Sequence, residues 1–293
     1  MYRYVDLLDD MEKLENLGAE TGFVGETELG FPVPYAFAGK KDGCTVLVVG
    51  GTHAREHITC KLVVAQAFEC AANFQSLQGG IYFVPMLNID GVRLCQEGLH
   101  FVRDEKRKQF LLKANGGSDD FSLWKANANA VDINVNFDAY WGTGEKNLFF
   151  PAPFNYIGKK PMSEKETIAI ADFTVKVNAQ FAISYHCKGE EIYWRYLQER
   201  LRLWRDYRYA RFVAAHTGYK LMKQTKSSGG YKDWCVEKLK IPALTVEVGN
   251  DRFPHPFPYS ELDGIIKKNA AVPRKIVNTL TRDSFFTKRE RGD

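Results

Sequence analysis

Residues 46–59 read VLVVGGTHAREHIT, and no other stretch limits the possible folds so tightly. The run 45–49 is apolar, rich in valine and of strand length, as expected of a strand buried on both faces. Gly50 and Gly51 let the chain turn sharply at its end. An apolar helical pattern then runs over 58–74. His53 and Glu56 fall at this strand-to-helix junction, three residues apart, where both side chains can reach one ion. Imidazole nitrogen and carboxylate oxygen suit zinc, which at a catalytic site keeps one coordination position open. A buried histidine beside an ordinary surface glutamate fits the same short pattern.

The letters His53-Ala54-Arg55-Glu56-His57 also spell H-x-x-E-H, the inverzincin signature, in which both histidines bind metal from one helix and the glutamate is the base. That arrangement needs His53 inside a helix, whereas two glycines precede it. His53 and Glu56 are therefore preferred as ligands, with His57 a helix residue nearby.

Composition adds mainly exclusions. The 293 residues are 45% hydrophobic and 26% charged, with a formal charge of +4, which is ordinary for a globular chain and too mild to argue for nucleic acid. No apolar run approaches the ~20 residues of a membrane span, and the N-terminal residues lack the basic and apolar regions of a signal peptide. Six scattered cysteines without C-x-x-C pairs read as reduced thiols. Together these point to a cytoplasmic protein.

The rest of the chain alternates strand and helix patterns. Residues 1–20 read as a helix with Val5, Leu8, Met11, Leu14 and Leu17 on its apolar face, and 23–39 as a hairpin. A second buried strand covers 80–87, followed by a turn at 88–91 and helical sequence over 92–112. Residues 123–144 form a polar-aromatic loop of the kind that walls a site. A helix over 163–177 opens with Ser163 and Glu166 spaced as a capping box. The strand 181–185 delivers His186, and a long helix follows over 199–223. The strand ALTVEV, 243–248, carries Glu247, and a closing helix over 262–280 is interrupted near Pro273. The charged tail 282–293 is expected to fray. This is an α/β pattern: one domain over 1–293, with a central mixed, twisted sheet flanked by helices and an N-terminal helix and hairpin over 1–40. His53 and His186 both lie at the carboxyl ends of strands, where open α/β sheets place their sites. A carboxylate inside an apolar strand is costly unless paired or used, so Glu247 is the candidate general base.

The order His53-x-x-Glu56, Leu123-Trp124-Lys125, Asn134-Val135-Asn136-Phe137, Ser184-Tyr185-His186, Gly229-Gly230 with Asp233-Trp234, and Glu247 resembles the zinc carboxypeptidase family over most of the chain. The segments SYHCKGEEIYW, GGYKDW and TVEVGN are most similar to its gamma-D-glutamyl-meso-diaminopimelate peptidase branch. The resemblance implies one zinc ion held by His53, Glu56 and His186, with Glu247 as general base and acid. Lys125 falls where some members have an arginine that polarises the scissile carbonyl; lysine keeps the charge without the bidentate fork. Arg55 and Asn134 match substrate-contacting positions. Two departures stand out. Val135 replaces the arginine that clamps the terminal carboxylate in digestive members, and Thr225 replaces their mobile tyrosine. Arg55, Arg195 and Lys188 are cations placed to meet substrate carboxylates instead, and Tyr231 is a candidate pocket wall. Cys187 reads as a packed thiol.

The expected protein is a zinc metallopeptidase hydrolysing an amide in peptidoglycan stem peptides, with a small peptide or muropeptide as its partner. A metallocarboxypeptidase on ordinary peptides, a zinc deacylase or amidase, and a peptide-binding module without catalysis are the alternatives.

Overall fold

In a computed structural model that describes residues 1–222 and 226–291, with side chains to residue 284, apolar runs become adjacent strands of one sheet. The strands are β1 (Glu20–Glu26), β2 (Pro32–Gly39), β3 (Thr45–Val49), β4 (Gly80–Val84), β5 (Phe181–Cys187), β6 (Glu191–Tyr193), β7 (Lys220–Met222) and β8 (Ala243–Val248). Their order across the sheet is β1-β2-β4-β3-β5-β8-β6-β7. The middle four are parallel, and the β1–β2 hairpin joins antiparallel through β2 to β4. β6 pairs antiparallel with β8 and parallel with β7. Val46, Leu47, Val48 and Val49 are sealed from solvent, each such side chain contributing roughly 1.5–3 kcal/mol.

The helices are α1 (Tyr4–Asn16), α2 (Ile58–Ala72), α3 (Ile89–Glu97), α4 (Glu105–Ala114), α5 (Lys165–Lys176), α6 (Arg200–Thr217), α7 (Tyr231–Trp234), α8 (Leu262–Asn269) and α9 (Val272–Arg291). α2 packs against α1, α8 and α9 and against β2, β4 and β5. α5 packs on β1 and α7 on β5 and β8, joined by a 2.8 Å hydrogen bond between Thr174 and Tyr231.

Several boundaries differ from the expected ones, each for a local reason. The buried face of α1 is Tyr4, Leu7, Met11 and Leu14, while Val5, Leu8 and Leu17 are exposed. The stripe is rotated because Tyr4 enters the core and its hydroxyl donates to the Pro32 carbonyl. The expected turn at 88–91 is a helix start: Asn88 Oδ1 accepts from the Gly91 N–H at 3.0 Å and caps α3. Gly98, at φ 63°, then ends α3, and Asp104 caps α4. Glu166 closes no capping box. Glu164 is the N-cap residue of α5, and Glu166 is buried, accepting from the Glu28 N–H and the Asn127 amide. Gly218, left-handed at φ 75°, stops α6 six residues short of the expected end, and Lys223 lies outside the described residues. The closing helix is interrupted as expected, between Asn269 and Val272; Pro273 sits in the first turn of α9, where its missing N–H costs nothing, and α9 continues past residue 280 to Arg291. The charged tail therefore continues the helix through residue 291, since nothing in its sequence breaks one; residues 292–293 lie outside the described residues.

The Gly50–Gly51 turn is a steric requirement. Gly51 has φ 61°, and a Cβ there would lie 2.6 Å from Cys60 Sγ. One at Gly50 would lie 2.8 Å from the Pro85 carbonyl oxygen.

The loop between α4 and α5 is tied down by buried polar groups. Asn127 donates to Glu164 (2.9 Å) and Glu166 (3.1 Å) and accepts from the Asn129 and Val131 N–H groups. Asp90 accepts from Thr27 Oγ1 at 2.7 Å and the Leu29 N–H at 2.9 Å. Burial, with Asp90 nearby, pushes the Glu166 carboxyl up to about 8, and burial raises Asp90 to about 6. Folding therefore holds a proton on Glu166 that the unfolded chain releases near 4.5. The stabilisation contributed by this group is full below that pH and is lost as pH rises to about 8, lowering Tm by several degrees. Glu166→Gln, which mimics the protonated acid, should flatten the decline in a series of thermal melts; an unchanged slope would refute this assignment.

Candidate active site

The glycine turn after β3 leaves His53 extended (φ −98°, ψ 130°) at the head of a single 3₁₀ turn, Ala54–Glu56. His53 Nδ1 lies 2.9 Å from Glu56 Oε1. β5 pairs in parallel with β3 and carries His186 beyond their last paired residues. His186 Nδ1 is 3.0 Å from His53 Nδ1 and 3.1 Å from Glu56 Oε2. All three residues are buried. Their outer faces are occupied: His186 Nε2 meets Ser184 Oγ at 2.9 Å, and His53 Nε2 lies 3.2 Å from Asp132 Oδ1. The latter contact is electrostatic, since its alignment satisfies no hydrogen bond. Burial opposes charge on His53, but the Glu56 carboxylate outweighs it and raises the imidazole. Burial likewise opposes ionisation of Glu56, and His53 and His186 hold it well below the usual carboxylate range.

Two imidazole nitrogens and a carboxylate thus converge on one point in a dry site. Protons placed on the outer nitrogens, toward Ser184 and Asp132, would leave both inner nitrogens with lone pairs for a cation. The donor set fits zinc.

His57 is not part of the group. It is buried, its Nδ1 lies 3.0 Å from the Tyr259 hydroxyl, and the two rings stack. Burial lowers its pKa to about 4. The H-x-x-E-H arrangement would need His53 in a helix, and it is extended.

Glu247 is the register partner of His186 on β8, on the same side of the sheet. Burial pushes its carboxyl up to about 8, the charge of His186 opposes this, and Glu56 adds to it. Its partial exposure tempers the shift without reversing it.

Lys125 Nζ is 2.8 Å from Asp132 Oδ2. Asp132 has no solvent exposure and also accepts from the Asn134 N–H (3.1 Å) and the Asn155 N–H (3.1 Å). Burial opposes its ionisation, but Lys125 and His53 hold it well below the usual range. Sequence reasoning gave Asp132 no role. An aspartate in an aperiodic loop carries no signal until the fold brings His53 and Lys125 to it. His255 was missed for the same reason. It is partly buried, it feels the charges of Glu56 and Arg55, and its Nδ1 has no hydrogen-bond partner among the described residues.

Arg55, Lys125, Asn134 and Val135 line one cavity of about 720 Å³. Two expected substrate residues do not. Arg195 is exposed and outside that lining. The Tyr231 ring is buried against Phe137 and its hydroxyl is occupied by Thr174, so it belongs to the core; only its N–H reaches Asn134, at 3.1 Å. The thiol of Cys187 is buried and outside the ligand group, and burial raises its pKa. Thr225 lies outside the described residues. Among those residues a second acidic group, Glu28, Glu164 and Glu166, has its oxygens engaged by Asn127, Asn129 and backbone N–H groups.

Residues 25–271 match the family described as zinc carboxypeptidase, peptidase M14. The chain is 30% identical over 283 residues to gamma-D-glutamyl-L-diamino acid endopeptidase 1 of Lysinibacillus sphaericus, covering 91% of this chain and 70% of that one. Its fold is similar to that of bovine thrombin-activatable fibrinolysis inhibitor, with a TM-score of 0.79 at 19% identity, over 97% of this chain and 98% of the other. Murein-tripeptide amidase MpaA from Escherichia coli O157 aligns with a TM-score of 0.55 at 21% identity, over 88% and 91%. The match across the sheet, the loop and the buried donor group makes this chain a member of the zinc carboxypeptidase family, a zinc-dependent hydrolase.

Proposed function

We propose that the protein hydrolyses the gamma-D-glutamyl–meso-diaminopimelate amide of peptidoglycan stem peptides, with His53, Glu56 and His186 holding its zinc. The convergence of these three donors, with Glu247 in register beside them, is the observation that carries the reading. The relative from L. sphaericus, named for action on a gamma-D-glutamyl–diamino acid bond, supports the substrate class. Val135 in the cavity wall argues against ordinary carboxypeptidase action, because an apolar side chain there cannot clamp a terminal carboxylate. One sheet and one main core running from Tyr2 to Leu280, with two smaller clusters beside it, support a single peptidase domain over 1–293. Six free cysteines, four of them buried, suit the reducing conditions of the cytoplasm. No helix among the described residues is long and apolar enough to cross a membrane.

Zinc at this site supplies a Lewis acid that acidifies a water and polarises a carbonyl. The Asp132 carboxylate beside His53 Nε2 favours a proton on that nitrogen, which leaves the inner nitrogen free for the metal. Glu247 accepts the proton of the attacking water on its carboxylate and passes it to the leaving amine nitrogen. A carboxyl raised toward neutrality serves both transfers. Lys125 Nζ, held by Asp132, offers positive charge to the carbonyl oxygen as it turns anionic. Arg55 and Asn134 face the substrate from the cavity wall.

Hydrolysis of L-Ala-gamma-D-Glu-meso-diaminopimelate should release diaminopimelate, stop with chelator, and fall about 10²–10⁴-fold in Glu247→Gln. No release by zinc-loaded protein would discard this substrate class. In metal analysis, His186→Ala should lose zinc and His57→Ala keep it; the reverse result would overturn the ligand set. Asp132→Asn should weaken zinc binding about 10–100-fold with the fold intact by circular dichroism. Unchanged affinity would reduce Asp132 to a purely structural role.

A further inference from the structure

The cavity beside the site lacks the arginine of digestive family members, yet the proposed leaving group carries carboxylates. Lys125 is paired with Asp132 and serves the scissile carbonyl, which leaves Arg55, Lys146 and Lys226 as the cations on the cavity wall that can meet them. The outer wall is built from residues 144–147 and 226–227. These segments are fastened to each other. The Glu145 N–H donates to the Lys226 carbonyl at 3.3 Å, and Thr143 Oγ1 lies 3.0 Å from Ser228 Oγ, which donates to the Tyr140 carbonyl at 3.1 Å. At the rim, Lys226 Nζ pairs with Glu145 Oε1 at 2.6 Å. Both side chains line the cavity, and both remain open to water, 78% and 58% exposed. Such a pair is weak and exchanges readily.

We propose that Glu145 and Lys226 form a specificity clasp that opens to read the zwitterionic head at the far end of the released residue. Lys226 takes its carboxylate and Glu145 its ammonium. The exchange conserves charge: one internal ion pair is replaced by two pairs of the same chemistry with the ligand, while the backbone and hydroxyl bonds keep the loops in place. The side chain of diaminopimelate ends in such a head. Lysine ends in an ammonium alone, which would satisfy Glu145 and strand Lys226. The cavity, about 720 Å³, is within the usual range for a ligand of this size. The clasp therefore selects diaminopimelate-type over lysine-type stem peptides. This inference rests on the wall-peptide reading above.

The test uses zinc-loaded Glu247→Gln protein, which binds without turnover, in calorimetry with L-Ala-gamma-D-Glu-meso-diaminopimelate and with its L-lysine counterpart. The diaminopimelate peptide should bind about tenfold more tightly or better, the size of one charge-assisted hydrogen bond. Adding Lys226→Met should collapse that preference, and adding Glu145→Gln should weaken both peptides. Both positions are exposed, so melting temperatures should hold. Equal binding of the two peptides, or a preference that survives Lys226→Met, would overturn the clasp while leaving the wall-peptide reading intact. Binding of neither peptide would remove that reading and the clasp with it.

Discussion

Parallel pairing of β3, β5 and β8 is the constraint on which the site depends. Hydrogen-bonded register puts Val49 beside Ser184 and His186 beside Glu247, so groups far apart in the chain reach one sheet edge with little freedom. A slip of one residue in either pairing would turn His186 or Glu247 to the opposite face. The strands are buried hydrocarbon for nearly their whole length, which makes such a slip prohibitive. The chemistry inherits its precision from the core.

The polar side of the site is held differently. Residues 123–144 contribute little regular structure, and a buried network takes its place. Asn127 and Asn136 anchor the loop to the start of α5, with Asn136 donating to the Ile157 carbonyl at 2.8 Å and to Ser163 Oγ at 3.0 Å. Asp132 lies between this network and the proposed ligands, touching both His53 and Lys125. Loss of any one member strands its neighbours without water, so the network is cooperative and intolerant of partial satisfaction.

Much of this was legible in the sequence where a residue contradicts its surroundings. Glu247 in ALTVEV has no structural excuse, and His53 after two glycines stands at a strand end. The mixed sheet was legible from the alternation of strand and helix patterns. What stayed hidden depends on contacts between segments. Asp132 looks like any loop aspartate until residues 79 and 7 positions away converge on it. Tyr231, beside two glycines, reads as a pocket wall, yet α7 turns its ring inward. Arg195 follows closely after His186 in the chain, but the chain leaves the cleft before reaching it. Helix ends were set by single residues, Gly98 and Gly218, whose positive φ is invisible in a periodicity count.

The two loops that enclose the cavity are fastened to each other by backbone and hydroxyl bonds, whereas the residues proposed as ligands stand on strands and on the turn that follows them. Selectivity and reactivity are thereby housed in separate mechanical parts. Substitutions along 140–147 can accumulate without disturbing the register of the sheet. A lineage carrying this scaffold is therefore free to explore new leaving groups by drift at the rim while its hydrolytic machinery stays unchanged.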